Sequence, residues 1–160
     1  MSPTQPDRVA DLVARRRIEK VAPNPRACAE WINDARRHVA SAATLADTDP
    51  RLAYAAVHDA ARKAITAHMN ANGLRPASGE GSHRAVIAYA RERMTSLVDE
   101  ETLDMVDQLR EGRRVAEYGE EPSIRIGPKE VAAAITISAT VVEAVAATLT
   151  TQQRPRKRAR

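Results

Sequence analysis

The chain has 160 residues and a formal net charge of +4, and it contains no Phe, one Trp and three Tyr. This length suits one domain with a buried core and is too short for two. An alanine-rich chain with so few aromatic residues favours closely packed helices over a β-sheet. The single cysteine, Cys28, excludes an internal disulfide and a cysteine-based zinc site, as is typical of a protein in a reducing cytoplasm.

The excess positive charge is concentrated at the C-terminus. If the five basic residues of the last seven positions are left out, 20 basic and 21 acidic side chains remain, so the rest of the protein is nearly neutral. Residues 151–160 are predicted to form a disordered basic tail, which is either a salt-sensitive contact for nucleic acid or a solubilising end. The five basic residues of the tail are Arg154, Arg156, Lys157, Arg158 and Arg160.

The N-terminal residues 1–6 include two prolines and are predicted to be disordered. They lack the basic and apolar segments of a secretory signal, so we expect a cytoplasmic protein. A single helical domain is predicted for residues 7–150. Its first helix is expected over residues 7–21, because Ala22-Pro23 disfavours further helix.

Two Asx-Pro pairs mark the starts of the next helices. Asn24-Pro25 and Asp49-Pro50 each supply an N-cap residue followed by a proline at the first helical position. They predict helices over residues 25–47 and 50–72. The second of these has a narrow stripe of alanines, which lets neighbours approach closely, and is expected to be the central helix.

The second half of the chain predicts three more helices. A loop over residues 74–82 precedes a helix from His83, and Asp99 caps a helix that ends at Tyr118. The last helix is expected from Pro128 to about residue 150, because its apolar residues keep a period near 3.6 despite many β-branched side chains. Its longest uncharged run, residues 131–142, is too short to span hydrocarbon, so no membrane association is expected. The predicted fold is an all-α, up-and-down bundle of five to six helices.

Sequence motifs for common cofactors are absent. The chain has no glycine-rich phosphate loop, no CxxC pair and no HExxH motif, so no cofactor is predicted. Its four histidines do not have the spacing of metal ligands. Of these, only His58 lies in a charged group, with Asp59, Arg62 and Lys63. A histidine is more often structural or exposed than catalytic.

The stretch from Gln108 to Gly119 places charge against an apolar helix face. Arg113 lies at the margin of that face, where a guanidinium needs acceptors or a solvated cleft. Tyr118 falls on the opposite side of a regular helix, so it reaches Arg113 only if the final turn is distorted. Gly112 and Gly119 would permit such a distortion.

Four segments of the chain are informative together: the run from Ala53 to Ala64, Asn72–Pro76, Gly81–His83, and the sequence Arg-Arg-Val-Ala-Glu-Tyr from Arg113. In their order and separation they resemble the actinobacterial branch of HEPN (higher eukaryotes and prokaryotes nucleotide-binding) domains. The last segment is similar to that branch's Arg-Asn-x-x-Glu-Tyr signature. The resemblance covers about residues 24–149.

The resemblance implies a helical bundle that often forms a homodimer with the arginine motifs facing a shared cleft. Active HEPN ribonucleases carry Arg-x4-6-His and need no metal, and several are toxins paired with a minimal nucleotidyltransferase. Here Arg113 matches the arginine, Arg114 replaces the asparagine and Tyr118 stands where the histidine would be. A phenol with a pKa near 10 is a poor base at pH 7, whereas Arg113 is still suited to holding a phosphate.

Three functional hypotheses follow from these residues. The first is binding of RNA, a nucleotide or a protein partner, as in a toxin–antitoxin or defence component. The second is a metal-independent endoribonuclease, with Arg113 and Tyr118 as the candidate catalytic residues. The third is a structural dimerisation module without a ligand. The candidate ligand-binding residues are Arg113, Arg114, Glu117, Tyr118, His58, Asp59 and Arg62.

Overall fold

The computed structural model describes residues 7–118 and 125–153, apart from the side chains of residues 116–118. This part of the chain forms six packed helices and two short strands, which agrees with the predicted helix number. The predicted disordered segment 1–6 and the basic residues 154–160 lie outside the described residues. In chain order the elements are α1 (Arg8–Ala14), β1 (Ile18–Lys20), α2 (Pro25–Leu45), α3 (Pro50–Ala71), β2 (Leu74–Pro76), α4 (Ser82–Arg93), α5 (Glu100–Tyr118) and α6 (Pro128–Gln153).

Helices α2 and α3 begin at the predicted caps. The backbone N–H of Ala27 donates to Asn24 Oδ1 at 3.0 Å, and that of Leu52 donates to Asp49 Oδ1 at 3.1 Å. Each bond satisfies an N–H that has no acceptor within its helix. The chain leaves α3 through Gly73, whose φ of 76° is a left-handed conformation that glycine adopts without strain.

The starts of α5 and α6 also depend on acidic side chains. Asp99 Oδ1 accepts from the N–H of Thr102 at 2.7 Å, as predicted for the cap of α5. At the start of α6, Glu130 Oε2 accepts from the N–H of Gly127 at 2.9 Å. Both carboxylates also lie at the positive end of a helix dipole, which adds to their stabilising effect.

The predictions of helix over residues 7–21 and of loop over residues 74–82 are partly wrong. Helix α1 ends at Ala14, and β1 pairs with β2 in an antiparallel two-stranded sheet in which Ile18 lies opposite Pro76. Arg16, with a φ of 56°, lies in the turn between α1 and β1. The sheet places Ile18 in the core, where its side chain is 1% exposed. Because the two strands are far apart in sequence, local propensity gives no signal of their pairing.

Helix α3 is central, as predicted, and it contacts α2, α4, α5 and α6. Most of its alanine stripe is fully buried, whereas Ala56 and Ala71 are half-buried, and such small side chains let the neighbouring helices approach closely. On the α6 side, Ser138 Oγ donates to the backbone oxygen of Val57 at 2.9 Å, so this buried hydroxyl has an acceptor. The buried alanines of α3 are Ala53, Ala60, Ala61, Ala64 and Ala67.

Helix α6 is helical despite its β-branched residues, as its period predicted, and it continues to Gln153. By length and composition it is long and apolar enough to cross a membrane. Here one of its faces is buried against the bundle, and Glu143 accepts two hydrogen bonds from Arg36 of α2, both at 2.8 Å. The absence of membrane association therefore stays a prediction.

Candidate functional site

Helices α3, α4 and α5 bring basic side chains together around a small cavity of about 10 Å³. His58 and Arg62 come from successive turns of α3, and His83 comes from the first turn of α4. Arg110 and Arg113 lie three residues apart on one side of α5. We call this group the basic cluster. Its members are His58, Arg62, His83, Arg110 and Arg113.

His58 is the most deeply buried member of the basic cluster. Its side chain is 5% exposed, and its ring centroid lies 5.4 Å from that of His83, with the two planes tilted by 48°. Nδ1 of His58 is buried and has no hydrogen-bond partner among the described residues. A buried polar atom without a partner is uncommon, because losing its hydration costs free energy.

Both histidines of the basic cluster are held in the neutral form. Burial, followed by the charges of Arg113, His83 and Arg62, lowers the pKa of His58 to about 3, against a weaker opposing effect of Asp59. Burial and the same arginines, together with Arg110, also lower the pKa of His83. Positive charge at this site therefore resides on the arginines at neutral pH.

Asp59 positions Arg62 at the edge of the basic cluster. Its Oδ1 accepts from Arg62 Nη2 at 2.6 Å and from Nε at 3.2 Å, and its Oδ2 lies 3.2 Å from Nδ1 of His38. Burial raises the pKa of Asp59, but the hydrogen bonds and charge of Arg62, with Lys63 and His38, lower it below its usual value. Asp59 is therefore an ionised orienting group at neutral pH.

The Arg113 motif is only partly described. Arg113 is half-buried on α5, as its position at the margin of an apolar face predicts. Arg114 is exposed, and its Nη2 and Nε donate to Glu111 Oε1 at 2.7 and 3.1 Å. The side chains of Glu117 and Tyr118 lie outside the described residues, so their candidate roles stay predictions.

Gly112 has a packing role that the sequence did not reveal. Helix α5 is continuous through Gly112 and up to Tyr118, so the distortion that this glycine would permit is not present there, and Gly119 lies outside the described residues. A Cβ at Gly112 would lie 2.5 Å from Oη of Tyr54 and 2.6 Å from two of its ring carbons. The missing side chain thus lets Tyr54 of α3 pack against the backbone of α5, one residue before Arg113.

Sequence reasoning missed two members of the basic cluster. His83 follows the glycine-rich loop that precedes α4, and its approach to His58 depends on how α4 packs on α3. Arg110 had a usable signal, because it lies three residues before Arg113 and therefore on the same side of α5. Asp107, which is 3.6 Å from Arg110 Nε, lies one turn before it.

The described residues offer no arrangement for a bound metal ion. No group of three or more His, Cys, Asp or Glu side chains within residues 7–118 and 125–153 could hold one. The chemistry of the basic cluster, with three guanidinium groups and two neutral imidazoles, instead suits an anion.

Comparison with known proteins gives no assignment. No protein-family model, curated protein or solved structure matches the chain.

Proposed function

We propose that this protein binds a phosphate group of an RNA strand or a nucleotide at the partly exposed arginines of the basic cluster, because the internal cavity of about 10 Å³ has room for no more than a water molecule. The observation that carries the proposal is the convergence of three arginines, from α3 and α5, on two neutral histidines, of which His58 is buried and His83 is half-buried. Guanidinium groups form paired, charge-assisted hydrogen bonds with phosphate oxygens. Partial burial strengthens such bonds, because the local dielectric constant is lower than that of water.

Two carboxylates hold arginines of the basic cluster in place. Asp59 is bonded to Arg62, and Asp107 lies 3.6 Å from Arg110 and 3.3 Å from Arg91, which also pairs with Asp104 at 2.7 Å. The side chains of Arg62 and Arg110 are each 36% exposed, so an incoming anion can reach them.

The wider proposal is a HEPN-like, up-and-down helical protein of the cytoplasm that works as a homodimer. Its support is that two of the HEPN-like segments, residues 53–64 and the Arg113 motif, lie on the contacting helices α3 and α5. Within this proposal, a nucleotidyltransferase-type protein is the candidate partner, as in toxin–antitoxin or defence systems. The basic residues 154–160 would add sequence-independent contacts to RNA.

A metal-independent endoribonuclease is the second candidate, and the contact between His58 and His83 favours it. RNA cleavage requires a base for the 2′-hydroxyl proton and an acid for the leaving oxygen. Two neutral imidazoles include an acceptor, but neither is a ready acid until a bound phosphate favours its protonated form. The geometry therefore supports binding better than cleavage.

The proposal is tested by fluorescence anisotropy with a labelled single-stranded RNA of 12 nucleotides. We expect Arg113→Ala to weaken binding at least about tenfold, since a charge-assisted hydrogen bond contributes about 1.5–3 kcal/mol. Arg114→Ala is the matched control, because it removes the same charge from an exposed neighbour that is bonded to Glu111. It should change the affinity less than about threefold.

Equal affinities for the wild type and Arg113→Ala would remove this residue from the site and contradict the proposal. The same incubated samples, run on a denaturing gel, separate the two candidate functions. Intact RNA would eliminate the ribonuclease, whereas cleavage that is lost in His58→Gln would favour it.

A further inference from the structure

A second basic feature adjoins the basic cluster. It is a cleft of about 550 Å³ between α1, α4 and α5, which we call the arginine cleft. Its volume is within the range of about 300–1,000 Å³ that is common for ligand sites. The charged and polar side chains that line it are Arg8, Arg17, Glu80, His83, Arg84 and Arg110.

Arg8, Arg17 and Arg84 line the arginine cleft but not the cavity of the basic cluster, and they have few hydrogen-bond acceptors. Within the described part of the chain, Arg8 and Arg84 form no ion pair, and Arg17 donates to the backbone oxygen of Glu80 at 3.3 Å. Arg15, by contrast, pairs with Asp11 at 2.9 Å. Arg8 and Arg84 therefore bring to the cleft positive charge that no ion pair within the described residues neutralises.

The start of α4 adds to this positive potential. Gly81, with a φ of 86°, precedes the helix and provides no side-chain cap, and it lines the arginine cleft together with residues of the first turn. The N-terminal end of a helix carries a partial positive charge and presents N–H groups to an anion. This end supports the arginines but would not define a site without them.

The arginine cleft and the cavity of the basic cluster are adjacent, because His83 and Arg110 line both. A phosphate that is bound by Arg110 would therefore lie at the edge of the cleft. No Phe, Trp or Tyr lines the described cleft, and the half-buried His83 is the aromatic side chain in its lining. Recognition that depends mainly on phosphates is largely independent of base sequence.

We propose that the arginine cleft binds further phosphates of the strand whose first phosphate occupies the basic cluster. The ligand is then a single-stranded RNA rather than a free nucleotide, and this inference rests on the proposed function. Arg84 and Arg17 contact the strand from α4 and from the turn after α1. Glu80 is an acidic residue in the cleft lining and opposes the binding.

The test compares the 12-nucleotide RNA with a nucleoside triphosphate as competitor. Wild-type protein should bind the RNA at least about tenfold more tightly, because more phosphates are neutralised. The Arg17→Ala/Arg84→Ala variant should lose that advantage. The slope of log affinity against log salt should also become shallower by about 0.7 for each phosphate contact removed.

Two further variants control for net charge. Arg15→Ala/Arg26→Ala removes the same two charges from exposed positions outside the cleft and should leave both the affinity and the salt slope within about twofold of wild type. Glu80→Gln should tighten RNA binding a few-fold, since it removes a negative charge from the cleft. Circular dichroism and thermal unfolding establish that each variant is folded.

The outcomes separate this inference from the proposed function. If Arg113→Ala weakens RNA binding but Arg17→Ala/Arg84→Ala does not, the cleft is not part of the site and the inference is wrong. A triphosphate that binds as tightly as the RNA would also overturn it. If the wild type does not bind RNA, the proposed RNA ligand and this inference fail together.

Discussion

The two sides of α3 differ in chemistry: one is a packing surface, and the other carries residues of the proposed binding site. Towards α2 and α6 it presents alanines, such as Ala60 and Ala64, that are completely buried and have no polar side-chain atoms to satisfy. Towards α4 and α5 it presents His58 and Arg62, which are partly or fully removed from water. Burial stabilises the first side, whereas the second side retains a desolvation cost. A polar group kept in such a place indicates a site.

The packing side should be the more sensitive to added volume. Ala60→Leu inserts a larger side chain where no space is left, and we expect a loss of about 1–3 kcal/mol in the free energy of unfolding. The two residues have similar helix propensity, so the loss reports packing. Urea unfolding followed by circular dichroism measures it.

Ala40→Leu on α2 is the control for this change, because Ala40 is exposed. We expect its effect to stay within about 0.5 kcal/mol. Similar losses at both positions would mean that the alanine side of α3 is not closely packed.

The binding side should make stability depend on pH through His58. In the unfolded chain this histidine takes up a proton below its ordinary pKa of about 6.5, whereas in the folded protein it does so only near pH 3. The contribution is therefore present above pH 6.5 and is lost as the pH falls towards 3, by up to about 1.4 kcal/mol per pH unit. In His58→Gln the free energy of unfolding should therefore depend less on pH. Between pH 6 and 5 its slope should be smaller than that of the wild type by about 1 kcal/mol per pH unit.

Urea unfolding at pH 5, 5.5, 6 and 7 checks this slope while most carboxylates remain ionised. His83 and His68, whose pKa values burial also lowers, remain in both proteins and contribute equally. Identical slopes for the wild type and the variant would show that His58 is solvated in the folded protein. The contrast between the two sides of α3 would then disappear.

The sequence could predict the features that depend on local chemistry. The Asn24, Asp49 and Asp99 caps are confirmed because a side chain bonds to a backbone N–H a few residues away. The helical period of α6 was also a stronger signal than its β-branched content. In the candidate site, the partly buried position of Arg113 followed from the same periodicity.

The features that escaped prediction depend on contacts between distant segments. The pairing of Ile18 with Pro76, the approach of His83 to His58 and the packing of Tyr54 on Gly112 each join elements far apart in sequence. No local propensity encodes them, since they arise when the helices pack. Arg110 could have been found by helical spacing from Arg113 alone.

The most direct test of phosphate binding in the basic cluster is nitrogen-15 NMR of the histidine rings during titration with the 12-nucleotide RNA. A phosphate beside His58 and His83 would favour their protonated forms, so both ring signals should shift and both pKa values should rise. His68, whose Nδ1 lies 2.8 Å from Oη of Tyr89 in the core, serves as the internal control and should not change. RNA that binds while the His58 and His83 signals stay unchanged would contradict the account, because its phosphate would then lie elsewhere.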